Sequence, residues 1–97
     1  MLLPTRTAVL NYLYQENEAD VNKIMEALRP MYGNEKQFNE KMYLEHAMSL
    51  EANGLVEMIG YELDKNEELI LYYRINESGR KAVEKYVPEK YYQKEKR

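Results

Sequence analysis

The hydrophobic pattern of this 97-residue chain changes period twice, and that switch limits the folds open to it. Up to Ala52 apolar residues recur at helical spacing, from Val56 they alternate, and beyond Asn76 the helical spacing returns. Val9, Leu10 and Leu13, flanked by Ala8 and Tyr12, predict a first helix from Thr5 to about Glu16, ended by the polar run Gln15-Glu16-Asn17-Glu18. Asp20 is a suitable N-cap for a second, shorter helix whose apolar stripe is Val21, Ile24, Met25 and Leu28. Pro30 is expected to stop it, because helices usually end at or before the residue that precedes a proline.

Gly33-Asn34 restarts the chain, and Asn34 with Gln37 has the spacing of a capping box. A third helix is therefore predicted from about Glu35 to Ala52, with Phe38, Met42, Tyr43, Leu44, Ala47, Met48 and Leu50 at its apolar positions. Asn53-Gly54 ends it, since glycine adopts the left-handed conformation of a helix C-terminus at little steric cost. Val56 and Met58 then alternate with Glu57, and Leu69, Leu71, Tyr73 and Ile75 alternate with Ile70, Tyr72 and Arg74. This predicts two antiparallel strands joined by the polar turn Asp64 to Glu68. Asn76 caps a last helix carrying Ala82, Val83 and Tyr86, which Pro88 ends or redirects. Single helical stripes cannot be buried alone, so the expected fold is α+β, mainly α, a three-helix bundle with a hairpin against one side. It divides into a domain over residues 1–87 and a polar, tyrosine-bearing tail or helix extension over 88–97.

Composition narrows the function classes. The chain holds no cysteine and one histidine, which removes disulfides, thiolate catalysis and cysteine- or histidine-rich metal sites. The longest apolar run, Leu69 to Tyr73, is far too short to span a membrane or form a signal-peptide core, so a cytoplasmic protein without a membrane partner is expected. Ser49 and Ser78 lack nucleophile signatures and no glycine-rich phosphate loop follows a strand, so no enzyme and no cofactor are expected. The acidic turn lacks the glycine and ligand spacing of a calcium loop. His46 reads as a partly buried helix residue, and Met25, Met42, Met48 and Met58 read as packing material. The net charge of −3 is uneven: residues 1–33 carry −1, residues 34–54 carry −2, residues 55–75 carry −3 and residues 76–97 carry +3.

Two stretches carry a family resemblance. Leu50-Glu51-Ala52-Asn53-Gly54-Leu55-Val56 resembles the exit from a recognition helix into the first wing strand of a winged helix-turn-helix domain. Tyr73-Arg74-Ile75-Asn76-Glu77-Ser78-Gly79-Arg80 resembles the passage from the second wing strand into the following helix. With the helix order, the chain is broadly similar over nearly its whole length to PadR-like and MarR-like transcription regulators. It departs from them in the long connection Pro30-Met31-Tyr32-Gly33 and in a third helix of roughly eighteen residues.

The resemblance implies a dimeric regulator of double-stranded DNA whose third helix reads the major groove. Lys36, Gln37, Asn39, Glu40, Lys41 and Tyr43 would face the bases, and Lys65 lies in the wing turn. Arg80 and Lys81, with Lys85, Lys90, Lys94, Lys96 and Arg97, would grip phosphate. The same residues equally suit the solvated faces of amphipathic helices. Leu2, Leu3, Val83, Tyr86, Tyr91 and Tyr92 would form the homodimer contact, or else pack on the first helix. An acidic helix–wing region opposes the counterion release that drives DNA affinity. A second expectation is therefore a winged-helix module that binds a protein partner through its acidic wing and tyrosine-rich surface, a use to which mobile-element and phage proteins of this size put the fold. Both readings place Leu50 in the core. Its replacement by alanine is expected to lower stability by about 2–5 kcal/mol in chemical denaturation.

Overall fold

A computed structural model describes residues 2–92 and shows a mostly helical α+β domain with a small antiparallel sheet. The elements are α1 (Thr5–Glu16), β1 (Glu18–Asp20), α2 (Val21–Tyr32), α3 (Glu40–Ala52), β2 (Val56–Leu63), β3 (Leu69–Ile75) and α4 (Glu77–Tyr86), then a 3₁₀ turn over Glu89–Tyr91. The core lies between α1, α2, α3, α4 and one face of the sheet. Tyr73, Leu13, Ile24, Val9, Val56 and Val83 are its largest fully buried side chains, and Leu50 is buried as expected.

The expected caps form at α2 and α4. Asp20 Oδ1 accepts from the Lys23 N–H at 2.8 Å and Asn76 Oδ1 from the Gly79 N–H at 2.9 Å. Pro30, however, does not stop α2, which continues to Tyr32 and closes with the Gly33 N–H on Arg29 O at 2.8 Å. Proline removes one helical donor. The next turn is held instead by tertiary contacts, because Tyr32 is buried and its hydroxyl donates to the Leu3 carbonyl.

The capping box at Asn34 is also absent. Residues 34–37 are exposed and run through turns, with the Glu35 N–H on Tyr32 O and the Phe38 N–H on Glu35 O, both at 3.0 Å. The cap lies five residues later, where Asn39 Oδ1 accepts from the Met42 N–H at 2.9 Å. Phe38 explains the delay. It is the first apolar side chain after the turn, and it packs edge-on against Tyr43 with ring centroids 5.2 Å apart while Arg29 lies over its ring. The third helix accordingly has 13 residues.

The hairpin departs from its predicted outline in length. β2 extends to Leu63 through a bulge between Met58 and Gly60, which breaks the period-2 pattern. Asp64 builds the turn: its Oδ1 accepts from the N–H groups of Asn66 and Glu68 at 2.8 and 2.9 Å. β1, too short to show periodicity, pairs with β3 and sets the sheet order β1-β3-β2. Arg74 and Glu18, opposite each other in that register, approach to 3.9 Å.

The two sequence junctions meet in space. Gly54, at φ +77°, turns the chain out of α3. The Asn76 side chain donates to Gly54 O at 2.9 Å, and its backbone N–H donates to Leu55 O at 3.2 Å. Gly79 lies against the same carbonyl, where a Cβ would sit 2.2 Å from Leu55 O and 2.6 Å from Ile75 Cγ1. Gly79→Ala is therefore expected to destabilise the fold by about 1–3 kcal/mol or more in urea denaturation. Gly60→Ala, where a Cβ meets nothing within 4 Å, is the matched control and should stay within about 0.5 kcal/mol of the parent.

Candidate functional site

The exposed surface that combines the sequence-predicted residues is the start of α3 and the hairpin beside it. Lys36 and Gln37 are exposed in the connection before α3, and Glu40 and Lys41 are exposed in its first turn. Asn39 is exposed too, but its side-chain oxygen is engaged as the helix cap. Lys65 is exposed in the hairpin turn.

Tyr43 leaves this set. It is 2% exposed, wedged edge-on between Phe38 and His46. A helical position that faces the core cannot also face a ligand. Its hydroxyl is buried without a hydrogen-bond partner among the described residues. Burial, aided by the negative charge of Glu35, pushes its phenol up to about 12.

The basic residues of α4 are not brought to this surface. α4 packs chiefly against α1 and β3. Arg80 is half-buried there, donating to Asn17 Oδ1 at 2.6 Å and lying over the Tyr14 ring, while Lys81 is exposed. Lys94, Lys96 and Arg97 lie outside the described residues.

The expected dimer face is also divided. Val83 is fully buried against the core and is removed from it, because the α4 stripe is consumed by packing within the chain. Tyr91 and Tyr92 are half-buried on α1: Asn11 and Gln15 side chains donate to Tyr91 O at 3.0 and 2.7 Å, and Tyr92 packs edge-on against Tyr14. Leu3 is half-buried, while Leu2 and Tyr86 are exposed.

Between the starts of α2 and α3 and the β3 end of the hairpin runs a groove of about 440 Å³, lined by Val21, Asn22, Glu40, Lys41, Leu44 and residues 68–71. The exposed apolar residues of this region escaped sequence reasoning. Leu69 in the lining is exposed, and so are Tyr61, Leu63 and the methionines read as packing material, Met48 and Met58. The signal lay in β3, whose alternation of Leu69, Leu71, Tyr73 and Ile75 runs unbroken from the turn. A second cavity of about 370 Å³ lies between α1, α2 and the returning segment at Tyr91.

Among the described residues no helix is long and apolar enough to cross a membrane, and no three His, Asp or Glu residues are grouped to hold a metal ion. No family model matches the chain, and no curated protein matches it.

His46 is held neutral on the far side of Tyr43. Arg6 Nε–H donates to His46 Nδ1 at 3.2 Å, which requires an unprotonated nitrogen there. Burial, reinforced by the Arg6 charge, lowers its pKa from the usual value. The unfolded chain therefore binds the proton first as pH falls. Stability is complete above about pH 6.5 and declines as pH drops below it toward the lower folded pKa. Urea midpoints at about pH 7.5 and 5.5 should show that decline, and His46→Gln should flatten it.

Proposed function

We propose that this chain is a winged-helix DNA-binding regulator that reads the major groove with the start of α3. The observation that carries this reading is the order α1-β1-α2-α3-β2-β3-α4 with β1 added to the hairpin as a third strand. That order leaves the first turn of α3 and the connection before it exposed beside the hairpin. That exposure supports the reading, because a helix-turn-helix protein reads the major groove with the N-terminal residues of its recognition helix. Lys36, Gln37 and Lys41 are the readers. Lysine can contact guanine or phosphate, and glutamine pairs with adenine. Phosphate contacts come from Lys23, exposed at the start of α2, rather than from the acidic hairpin or from Arg29, which pairs with Glu26 at 3.3 Å and lies over Phe38. A homodimer would place two copies of α3 on successive major grooves about 34 Å apart. Leu2 and Tyr86 are the exposed apolar residues available for its contact.

A second reading, a winged-helix module that binds protein, is favoured by the exposed apolar residues of the hairpin. The exposed face of α3 also favours it, since Glu40, Glu45 and Glu51 outnumber Lys41 there.

Titration of duplex DNA at about 50 and 200 mM salt separates the two. The first reading expects binding at low salt that weakens steeply at high salt. The double variant Lys36→Glu and Lys41→Glu should reduce affinity at least about tenfold and lower the log–log salt slope by about 2. No binding at about 50 mM salt, or binding without a salt slope, overturns it.

A further inference from the structure

The β2–β3 hairpin has one face turned to the helices and one turned away, and the bulge decides which residues lie on each. Cross-strand partners share a face, so the pairs Val56 with Ile75, Met58 with Tyr73, Tyr61 with Leu71 and Leu63 with Leu69 all lie on the side facing the helices. Without the bulge, strict alternation from Met58 would have put Gly60 and Glu62 on that side and Tyr61 and Leu63 on the other. Glu62 instead occupies the opposite face, where it accepts from the Tyr72 hydroxyl at 3.0 Å.

The apolar face outruns the body it packs on. Near β2's start Val56 is buried, whereas toward the turn Tyr61 is 70% exposed, Leu63 61% and Leu69 54%. Across the groove Leu44 lies in its wall, and Met48, one helical turn further along α3, is 52% exposed. Leu44 thus lines the groove from α3 and Leu69 and Leu71 line it from β3, with Tyr61 and Leu63 adjoining Leu71 and Leu69 on the same face of the hairpin. The groove's outer end is acidic. Glu40 and Glu68 stand in its lining against Lys41, and the adjoining turn adds Asp64 and Glu67 against Lys65.

We propose that this groove docks a basic amphipathic helix from a partner protein, with apolar side chains seated between Leu44/Met48 and Tyr61/Leu63/Leu69 and Lys or Arg flanks meeting the acidic rim. This rests on the protein-binding reading and names its partner's chemistry. Helix-in-groove docking suits the geometry better than strand addition, because the free edge of β2 is interrupted by its bulge. A second copy of this chain does not supply the occupant. Its basic helix, α4, already buries Val83 and Gly79 within its own fold, leaving Tyr86 as its one exposed large apolar side chain among the described residues, too little for an apolar stripe.

The test uses two fluorescent peptides of about 14 leucine and lysine residues, about 21 Å long as helices. One places leucine at i, i+3, i+4 and i+7, and the other has the same composition with that pattern scrambled. Anisotropy titrations with the full chain should show the patterned peptide binding at least about tenfold tighter. The double variant Tyr61→Ser and Leu63→Ser, two exposed positions outside the core, should remove that preference. Amide shifts in heteronuclear NMR spectra should change at Leu44, Met48 and residues 61–71. Equal binding of the two peptides overturns the proposal, since charge alone would account for it. Patterned-peptide binding whose shifts map elsewhere overturns the groove but leaves the protein-binding reading standing. Duplex DNA that binds and shifts these same residues, with neither peptide binding, overturns both. Concentration-dependent dimerisation that the double variant abolishes, seen by light scattering, makes a second copy the occupant and overturns the partner helix.

Discussion

The tertiary structure hangs on a small knot of hydrogen bonds at Asn76. Its side-chain oxygen caps α4, its side-chain nitrogen holds Gly54 O, and its backbone N–H holds Leu55 O. One residue thereby ties the end of α3, the start of β2, the end of β3 and the start of α4. Three chain segments converge there, and an asparagine offers both a donor and an acceptor to satisfy their backbone groups. Gly79 completes the junction by leaving room for the Leu55 carbonyl. The hairpin emerges from this point, so its direction relative to α3 follows from the knot.

What the knot directs is a hairpin longer than the bundle beneath it. At its base the apolar face closes the core through Val56, Tyr73 and Ile75. At its tip the same face, kept in phase by the bulge, stands open to solvent opposite α3. The strand pairing that completes the core also leaves Tyr61, Leu63 and Leu69 exposed on the same face. The back of the sheet is satisfied locally, with Tyr72 on Glu62 and Arg74 near Glu18. The proposed functions differ in which part of this α3–hairpin surface they use, the lysines before and within its first turn or the apolar trough behind them.

Local chemistry explains why some elements were legible and others were not. Asp20 and Asn76 cap helices through bonds to groups three residues away, so their roles could be read directly from spacing. Asn34 and Asn39 are both competent caps, and local spacing favours the first. The choice of Asn39 depends on where Phe38 finds a partner in Tyr43 and Arg29, which are distant in the fold's logic if not in sequence. Pro30 likewise reads as a stop until the burial of Tyr32 is known. At the candidate site, Lys36, Gln37 and Lys41 were visible as exposed polar residues, but Tyr43 is amphipathic and its side could not be assigned from type alone. Met48 and Met58 show the converse error, apolar residues whose spacing suits a core that does not reach them.

By itself, then, the sequence determined the element types, the helix caps of α2 and α4, the turn at Gly54 and the acidic charge of the α3–hairpin region, because each depends on neighbours within a few residues. Only the tertiary structure decided where α3 begins, that Glu18–Asp20 joins the sheet, that α4's stripe is spent on the core and that the hairpin's apolar face projects past it. Those outcomes depend on which distant surfaces meet and how far each one extends. A period-2 pattern states that a strand has an apolar face, but the length of the partner surface determines how much of that face is buried.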